Sequence, residues 1–300
     1  MGNQMLQYMW ALNLQRLTDD THICGHDIPF WGIKADVPDE FGRHPLRLGG
    51  HFLNVDHVGK LIRNGTVKNI LLGGLGFQIQ NYASPEFYRK VFLSDAIEAE
   101  GYGEEYVVFN IRGAEILKNC HADYRPVPFS YFDTVIATAK ARPVFLGQIG
   151  DDDYSRELRK RYPDAVFQPS RGPLIDFETL RRSHQIAIAV STFSWLAGWL
   201  SSAKVIHYPM SGMLNPLQRP DIDLTPSEDP RYRFYHFPVQ KWSATAAEMN
   251  ELWVPGEHRL LSVNEVCALR QRAAETIRWQ RRWKRLKISS HAQLLRLLPG

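Results

Sequence analysis

The stretch QIAIAVSTFSWLAGWL, residues 185–200, decides the fold. Its first six residues form an apolar run that is typical of a strand buried on both faces, so we predict a strand over 185–190. The residues from Thr192 onward have the composition of a buried helix, which we expect over 192–203. A second apolar run, KVIHY at 204–208, follows and is predicted to be the final strand. The stretch therefore predicts a strand–helix–strand unit with parallel strands.

The same alternation of strand and helix extends upstream. Apolar runs predict strands over 105–112, 143–149 and 165–169, and helical periodicity predicts helices over 128–140, 152–161 and 175–182. This pattern indicates an α/β fold with a doubly wound parallel sheet. Ligands of such sheets bind beyond the carboxyl ends of the strands. Candidate site residues therefore lie directly after the strands, in 112–115, 148–151 (beginning with Gln148), 170–171 and 191–195.

The first hundred residues are less regular. We predict helices over 3–17, 57–63 and 85–98, a strand over 69–75, and loops over 20–50. The expected face of the first helix consists of Met5, Tyr8, Met9 and Leu12. These elements indicate a smaller α/β domain in residues 1–100, joined by a linker at 98–105 to a Rossmann-like domain in 105–230, with a loop and a basic helical extension in 231–300.

Composition argues against a largely disordered chain, a disulfide-rich protein and a protein with a membrane-spanning helix. The chain has 300 residues, 44% hydrophobic and 23% charged, which is ordinary for a globular protein. The net charge of +4 suits an anionic small ligand but does not by itself indicate nucleic acid. Three scattered cysteines fit a reducing compartment, and neither a signal peptide nor an apolar run of about 18 residues occurs. We expect a cytoplasmic protein without a metal or other cofactor.

Two segments of the second half lack a place in this scheme. Residues 211–232 hold four prolines and predict a long loop that is ordered against the domains. Residues 264–286 predict a basic helix that carries Trp279 and Trp283. This helix is either a surface helix that packs its tryptophans on the body, or a peripheral contact with a membrane surface or another anionic partner. Nucleic acid is a third and weaker alternative.

The turn at Ser191, Thr192, Phe193 and Ser194 lies between a strand and a helix. The first backbone N–H groups of a helix are free and lie at the positive end of its dipole, so such a turn can hold a phosphate. The hydroxyl groups of this turn add further donors. The alternative is simple capping of the helix by Ser191 or Thr192, with Phe193 packed inward.

Two other segments carry polar groups that suit a phosphate or a sugar. Arg112 ends a predicted strand within NIRGAE, residues 110–115, and its planar guanidinium can grip a diphosphate. The alternative is a surface ion pair between Arg112 and Glu115. Near the start of the chain, Gly2, Asn3 and Gln4 bring backbone and amide donors to the beginning of a helix. An ordinary helix entry explains these three residues as well.

Together the three segments resemble the bacterial α-1,2-fucosyltransferases. GNQMLQY at 2–8 is similar to the G-N-Q-M-F-Q-Y segment of that family, and NIRGAE at 110–115 to its H-x-R-R-G-D motif. STFSWLAGWL at 191–200 closely resembles S-[ST]-F-S-W-W-[GA]-A-W-L. Order and approximate spacing agree over residues 1–210.

The resemblance implies a GT-B-like pair of Rossmann-like domains. It also implies a GDP-sugar donor, no metal, transfer with inversion, and a glycan or glycolipid acceptor at the cytoplasmic face of a membrane. By position, Arg112 would contact the donor diphosphate and residues 191–194 would bind phosphate. Gly2, Asn3 and Gln4 would line the cleft from the other domain. Asp176 would face the guanine base, although it could instead cap its short helix.

The chain departs from the family pattern in the second motif. Asn110 stands in place of histidine, Gly113 in place of the second arginine and Glu115 in place of aspartate. One cationic group is therefore missing, and Arg142 and Arg171 are candidates to supply it. The family also has a strand and a glycine-rich turn before the first motif, so we expect either that the natural start lies upstream of Met1 or that this strand is lacking.

The resemblance implies direct displacement at the anomeric carbon by an acceptor hydroxyl. Candidates for the general base are Glu115, Asp56 and His51. Two alternatives stay open at this point. The chain could be a non-catalytic protein that binds a nucleotide sugar, or a transferase that uses a UDP- or CMP-sugar on the same scaffold.

Overall fold

A computed structural model describes residues 1–19, 21–34, 45–93, 97–118 and 120–296, with the backbone alone for residue 281 and residues 283–296. The described helices are α1 (Gly2–Thr18), α2 (Val55–Arg63), α3 (Pro85–Val91), α4 (Phe129–Ala139), α5 (Asp153–Arg161), α6 (Pro173–Arg182), α7 (Thr192–Trp199), α8 (Ala246–Glu251) and α9 (Val263–Arg296). The strands are β1 (Leu46–Leu48), β2 (Ile70–Leu72), β3 (Tyr106–Ile111), β4 (Arg142–Gly147), β5 (Val166–Pro169), β6 (Gln185–Ala187), β7 (Val205–Met210), β8 (Tyr232–His236) and β9 (Arg259–Leu261).

Seven of these strands form one mostly parallel sheet. Their order is β5-β4-β3-β6-β7-β8-β9, and β9 alone runs antiparallel to its neighbour. From β3 the chain moves outward through β4 to β5, then returns to place β6 on the other side of β3 and moves outward through β7 to β8. The predicted α/β fold is confirmed. The strand order reverses between β3 and β6, and a crevice is expected beyond the carboxyl ends of those two strands.

Several predicted bounds are wrong. The strand expected to be the last, at 204–208, is followed by β8 and β9, which extend the sheet into the segment that we expected to be an extension. We predicted a strand over 185–190, but β6 ends at Ala187. We predicted a helix over 192–203, but α7 ends at Trp199. The helix predicted over 85–98 ends at Val91, and residues 94–96 lie outside the described residues, as do residue 20 and residues 35–44 of the predicted loop.

The first hundred residues share a core with the sheet. In α1, Met5, Leu6 and Met9 are fully buried, and they belong to the same apolar cluster as Val107 of β3 and Leu196 of α7. The only sheet described in this region is a parallel pair, β1 and β2, of three residues each. The second half of the chain therefore holds the larger, mostly parallel sheet, and the pair of Rossmann-like domains stays a prediction.

Side chains of the first half also hydrogen-bond to the second half. Arg89 of α3 donates to the carbonyl oxygens of Leu200 and Ser201, at 3.0 and 2.7 Å. The predicted long loop at 211–232 is ordered, because Met213, Leu214 and Leu224 are almost fully buried. None of the helices described is both long enough and apolar enough to cross a lipid bilayer.

Trp195 links α7 to this loop, and its removal should destabilise the protein. Its indole Nε1 donates to the carbonyl oxygen of Leu224 at 2.6 Å, and its ring stacks on Trp199. Trp195→Phe should lower the free energy of unfolding by about 2 kcal/mol, because the buried carbonyl keeps only the longer hydrogen bond from the Tyr208 hydroxyl, at 3.2 Å, and a void is left. Urea unfolding followed by circular dichroism measures this. Trp279→Phe is the matched control, since Trp279 is 60% exposed, and an equal effect of both variants would contradict the assignment.

His207 gives the fold a defined sensitivity to acid. Its Nδ1 lies 2.9 Å from the hydroxyl of Tyr235 inside the sheet, and burial, aided by the Arg233 charge, lowers the pKa of His207 to about 4. The unfolded chain therefore binds a proton first as the pH falls below about 6.5. The free energy of unfolding therefore falls as the pH falls below about 6.5. The loss should reach about 3 kcal/mol by pH 4.

The pH dependence of urea unfolding for His207→Gln tests this expectation. The variant should lose about 3 kcal/mol less than the native chain between pH 7 and pH 4. His57→Gln, an exposed histidine of α2, is the control. Parallel pH profiles for the native chain and His207→Gln would disprove the assignment.

Candidate functional site

A cavity of about 470 Å³ lies beyond the carboxyl ends of β3, β4, β5 and β6. It therefore occupies the position where the strand order reverses, which is where α/β sheets bind their ligands. The cavity is lined by the following residues: Met1, Gly2, Asn3, Asn110, Ile111, Arg112, Glu115, Tyr124, Gly147, Gln148, Ser170, Pro173, Asp176, Ser191, Thr192 and Phe193.

Ten of the thirteen predicted site residues line this cavity. The other three lie beside it or point elsewhere. The amide of Gln4 donates to the carbonyl oxygen of Asp27 at 3.4 Å, and the side chain is exposed. Gly113 donates its backbone N–H to Gln148 Oε1 at 3.0 Å. Ser194 is fully buried, and its Oγ accepts from the backbone N–H of Ala189 at 2.8 Å. Ser194 thus stabilises the turn through a buried hydrogen bond and does not face the cavity.

Three helices begin at the cavity. The first residues of α1, α6 and α7 all line it, so the positive ends of three helix dipoles point to one place. Ser191 is the N-cap of α7, as the capping interpretation predicts, and its Oγ accepts from the backbone N–H of Ser194 at 3.0 Å. The first turn of each helix presents further N–H groups that have no partner within the helix. This arrangement favours a negatively charged ligand.

The starts of α1 and α7 touch each other directly. Thr192 Oγ1 donates to Asn3 Oδ1 at 2.9 Å. Gly2 packs against the same turn, where a methyl group on its Cα would lie 2.6 Å from Thr192 Oγ1 and 2.7 Å from the Phe193 nitrogen. The contact requires glycine at position 2 because any side chain would separate the two helices.

Arg112 supplies the one arginine of the lining. Its Nη2 lies 3.0 Å from Glu115 Oε1, and its guanidinium carbon lies 5.0 Å from the centre of the Tyr124 ring. The ion pair that the sequence offered as an alternative is therefore formed. Partial burial raises the pKa of Glu115, but hydrogen bonds from its own backbone and from Arg112, together with the Arg112 charge, outweigh this and lower the pKa below its usual value. Glu115 is thus a carboxylate at neutral pH.

Two amides complete the floor of the cavity. Asn110 donates through Nδ2 to the carbonyl oxygen of Leu146 at 3.3 Å. Gln148 accepts from the backbone of Gly113 and donates through Nε2 to Glu115 Oε2 at 3.4 Å. Gln148 and Arg112 therefore bind different oxygens of the Glu115 carboxylate.

Asp176 lies at the third residue after the start of α6 and is almost fully buried. The N-cap of α6 is Gly172, so the interpretation of Asp176 as a cap is wrong. Its carboxylate accepts from Ser170 Oγ and from the backbone N–H of Arg171, at 3.1 Å for the latter. Asp176 therefore fixes the loop after β5 at the edge of the cavity, and its role toward a base stays a prediction.

The structure separates the two arginines proposed to supply the missing charge. Arg171 is exposed in the loop after β5, next to the cavity residue Ser170. Arg142 begins β4, at the amino end of the sheet, and donates to the carbonyl oxygen of Asp164 at 2.8 Å. A residue at that end of the strand cannot reach the cavity, so Arg142 is excluded.

Of the three candidates for a general base, only Glu115 lines the cavity. Asp56 is exposed on α2. His51 stacks on Phe77, with 4.8 Å between ring centres, and its Nε2 lies 3.8 Å from Asp221 Oδ2. Burial is the main cause that lowers the pKa of His51.

Sequence reasoning missed several residues of the lining. Ser170 was among the positions expected after a strand, but Met1, Ile111, Tyr124, Gly147 and Pro173 were not singled out. Tyr124 lies in an irregular segment between β3 and α4, and no local pattern marks it. Only the folded chain shows that its ring packs against Arg112.

No protein-family model matches this chain. A search of the solved structures likewise finds no significant match. Within the described part of the chain, no group of three or more His, Cys, Asp or Glu side chains is arranged to hold a metal ion. A reaction without a metal remains an expectation from the sequence. The interpretation of the cavity therefore rests on its geometry and on the motifs.

Gly2→Ala should destabilise the protein although alanine is the better helix former. Helix propensity alone favours alanine by about 1 kcal/mol, whereas the clash with Thr192 and Phe193 should cost about 3 kcal/mol and therefore outweigh this gain. Thermal unfolding measures the balance. Gly49→Ala is the control, since a methyl group there meets no described atom within 4 Å. A more stable Gly2→Ala chain would contradict the close contact.

Proposed function

We propose that this protein is a glycosyltransferase that uses a nucleotide-diphosphate sugar, with GDP-fucose as the expected donor. The observation that carries the proposal is the convergence of three helix N-termini and Arg112 on one cavity at the strand-order reversal. That arrangement suits the diphosphate of the donor. The similarity of the 2–8, 110–115 and 191–200 segments to α-1,2-fucosyltransferases supports the choice of sugar.

The proposed chemistry depends on charge that develops on the leaving group. As the bond between the anomeric carbon and the diphosphate oxygen breaks, the nucleoside diphosphate gains negative charge. The first N–H groups of α7 and the guanidinium of Arg112 would stabilise that charge more strongly in the transition state than in the bound donor. Arg112 is 28% exposed, so its guanidinium is open to the cavity.

The acceptor hydroxyl would attack the anomeric carbon from the opposite face, with inversion and without a metal. Its proton would pass to Glu115, the base candidate within the cavity. In the unliganded protein, Glu115 is paired with Arg112. A donor diphosphate that draws the guanidinium away would free the carboxylate and raise its pKa, because the neighbouring positive charge is then shared.

The proposal also assigns a role to each half of the chain and a cellular location to the acceptor. Residues 1–100 would form the acceptor side of a GT-B-like pair, and residues 105–230 the donor side. The acceptor would be a glycan or glycolipid assembled at the cytoplasmic face of a membrane.

A second candidate is a non-catalytic protein that binds a nucleotide sugar. The Arg112–Glu115 ion pair favours this candidate. A transferase would use the positive charge of Arg112 to stabilise its leaving group, but here Glu115 partly neutralises that charge. Binding would then occur without turnover.

Arg112→Ala should abolish most activity while the fold survives. Transfer or hydrolysis of GDP-fucose should fall by about a hundredfold or more, because one preorganised charge at the leaving group is lost. In a thermal-shift screen against GDP, UDP, CMP and ADP, GDP should stabilise the native chain by about 2.7 kcal/mol at one hundred times its dissociation constant. The variant should not respond to the same concentration.

Arg142→Ala is the matched control, because it removes an arginine from the opposite end of the sheet. It should keep both the activity and the response to GDP. Turnover unchanged in Arg112→Ala would disprove the role of that residue. Stabilisation by GDP without turnover of any GDP-sugar would support the non-catalytic candidate, and a preference for UDP or CMP would change the donor.

A further inference from the structure

Helix α9 begins as a helix that packs on the body. In its first half, Val266, Ala273 and Ile277 are buried against the body, at the spacing of one helix face. Gln280, one turn further on that face, is exposed. The helical backbone nevertheless continues to Arg296. The predicted basic segment 264–286 therefore divides near residue 278, and the part before it is a packing helix.

The second half of α9 concentrates the positive charge of the chain. Residues 278–296 contain seven Lys and Arg residues and no Asp or Glu. The rest of the chain holds 29 Lys and Arg against 32 Asp and Glu, and is therefore net negative. The net charge of +4 thus comes from this one helical segment, which has no acidic residue of its own to pair with.

An aromatic side chain stands among these charges. Trp279 is 60% exposed, so it does not pack on the body as a surface helix would require. The guanidinium of Arg282 lies over its ring at 5.9 Å. Positions 279, 283 and 286 hold Trp, Trp and Leu at spacings of four and three residues, and they share one face of the helix. Tryptophan with flanking basic residues is typical of helices that lie in the interface of a bilayer.

We propose that residues 278–296 of α9 dock the protein on an anionic phospholipid surface. The basic residues attract the lipid phosphates, and the apolar positions 279, 283 and 286 enter the boundary between headgroups and acyl chains. The first half of α9, held by Val266, Ala273 and Ile277, anchors this segment to the body. The inference does not rest on the proposed transferase activity, because it needs neither donor nor acceptor.

Cosedimentation of the full chain with lipid vesicles tests the proposal. The protein should bind vesicles of phosphatidylcholine with about 30% phosphatidylglycerol and not those of phosphatidylcholine alone. Binding should be lost in about 1 M salt, where the Debye length falls to about 3 Å. Each basic residue near an anionic surface contributes about fivefold, so Arg281→Ser/Arg282→Ser should bind about 25-fold more weakly.

Arg156→Ser/Lys160→Ser is the matched control, because it removes two exposed cations from α5. It should bind vesicles like the native chain. Trp279→Ser should weaken binding to anionic vesicles without loss of helical circular dichroism. Equal weakening by the α5 and α9 variants, or no binding to anionic vesicles at all, would overturn the proposal. Retention on single-stranded RNA without vesicle binding would overturn it in favour of nucleic acid.

Discussion

The contact between the starts of α1 and α7 is the constraint on which the site depends. Gly2 lets the two helices approach until Thr192 Oγ1 and Asn3 Oδ1 are 2.9 Å apart. Two positive helix ends held this close repel each other weakly, and the buried apolar faces of both helices must overcome that repulsion. Met5, Leu6 and Leu196 lie in the common core that does so. A negatively charged ligand would reduce this repulsion, so the arrangement of the two helix starts suits an anion.

Much of this arrangement could be predicted from the sequence, because the segments concerned are locally regular. The apolar run before Ser191 is typical of a buried strand, the residues after it have the composition of a buried helix, and their junction lies at the cavity. Arg112 directly follows β3 and therefore had to lie at the same edge of the sheet as Ser191. In each case a short-range pattern and the handedness of parallel units were enough to bring the residues together.

What could not be predicted depends on contacts between distant segments. The strands β8 and β9 were missed because three- and five-residue strands carry little periodic signal and gain their stability from the sheet that they join. Arg142 and Arg171 looked equivalent in the sequence, but one begins a strand and the other follows one. Tyr124 reached the cavity through an irregular segment, where no rule of spacing applies. The burial of Val266, Ala273 and Ile277 in the first half of α9 likewise depends on the body that they pack against.

The pairing of α1 with α7 also orders events during synthesis of the chain. Asn3 and Thr192 are separated by 189 residues. At roughly 5–20 residues per second, α1 leaves the ribosome about 10–40 s before its partner helix has been made. During that interval the start of α1 lacks its native contact with α7. The cavity between these helices is therefore completed only after more than half of the chain has been made.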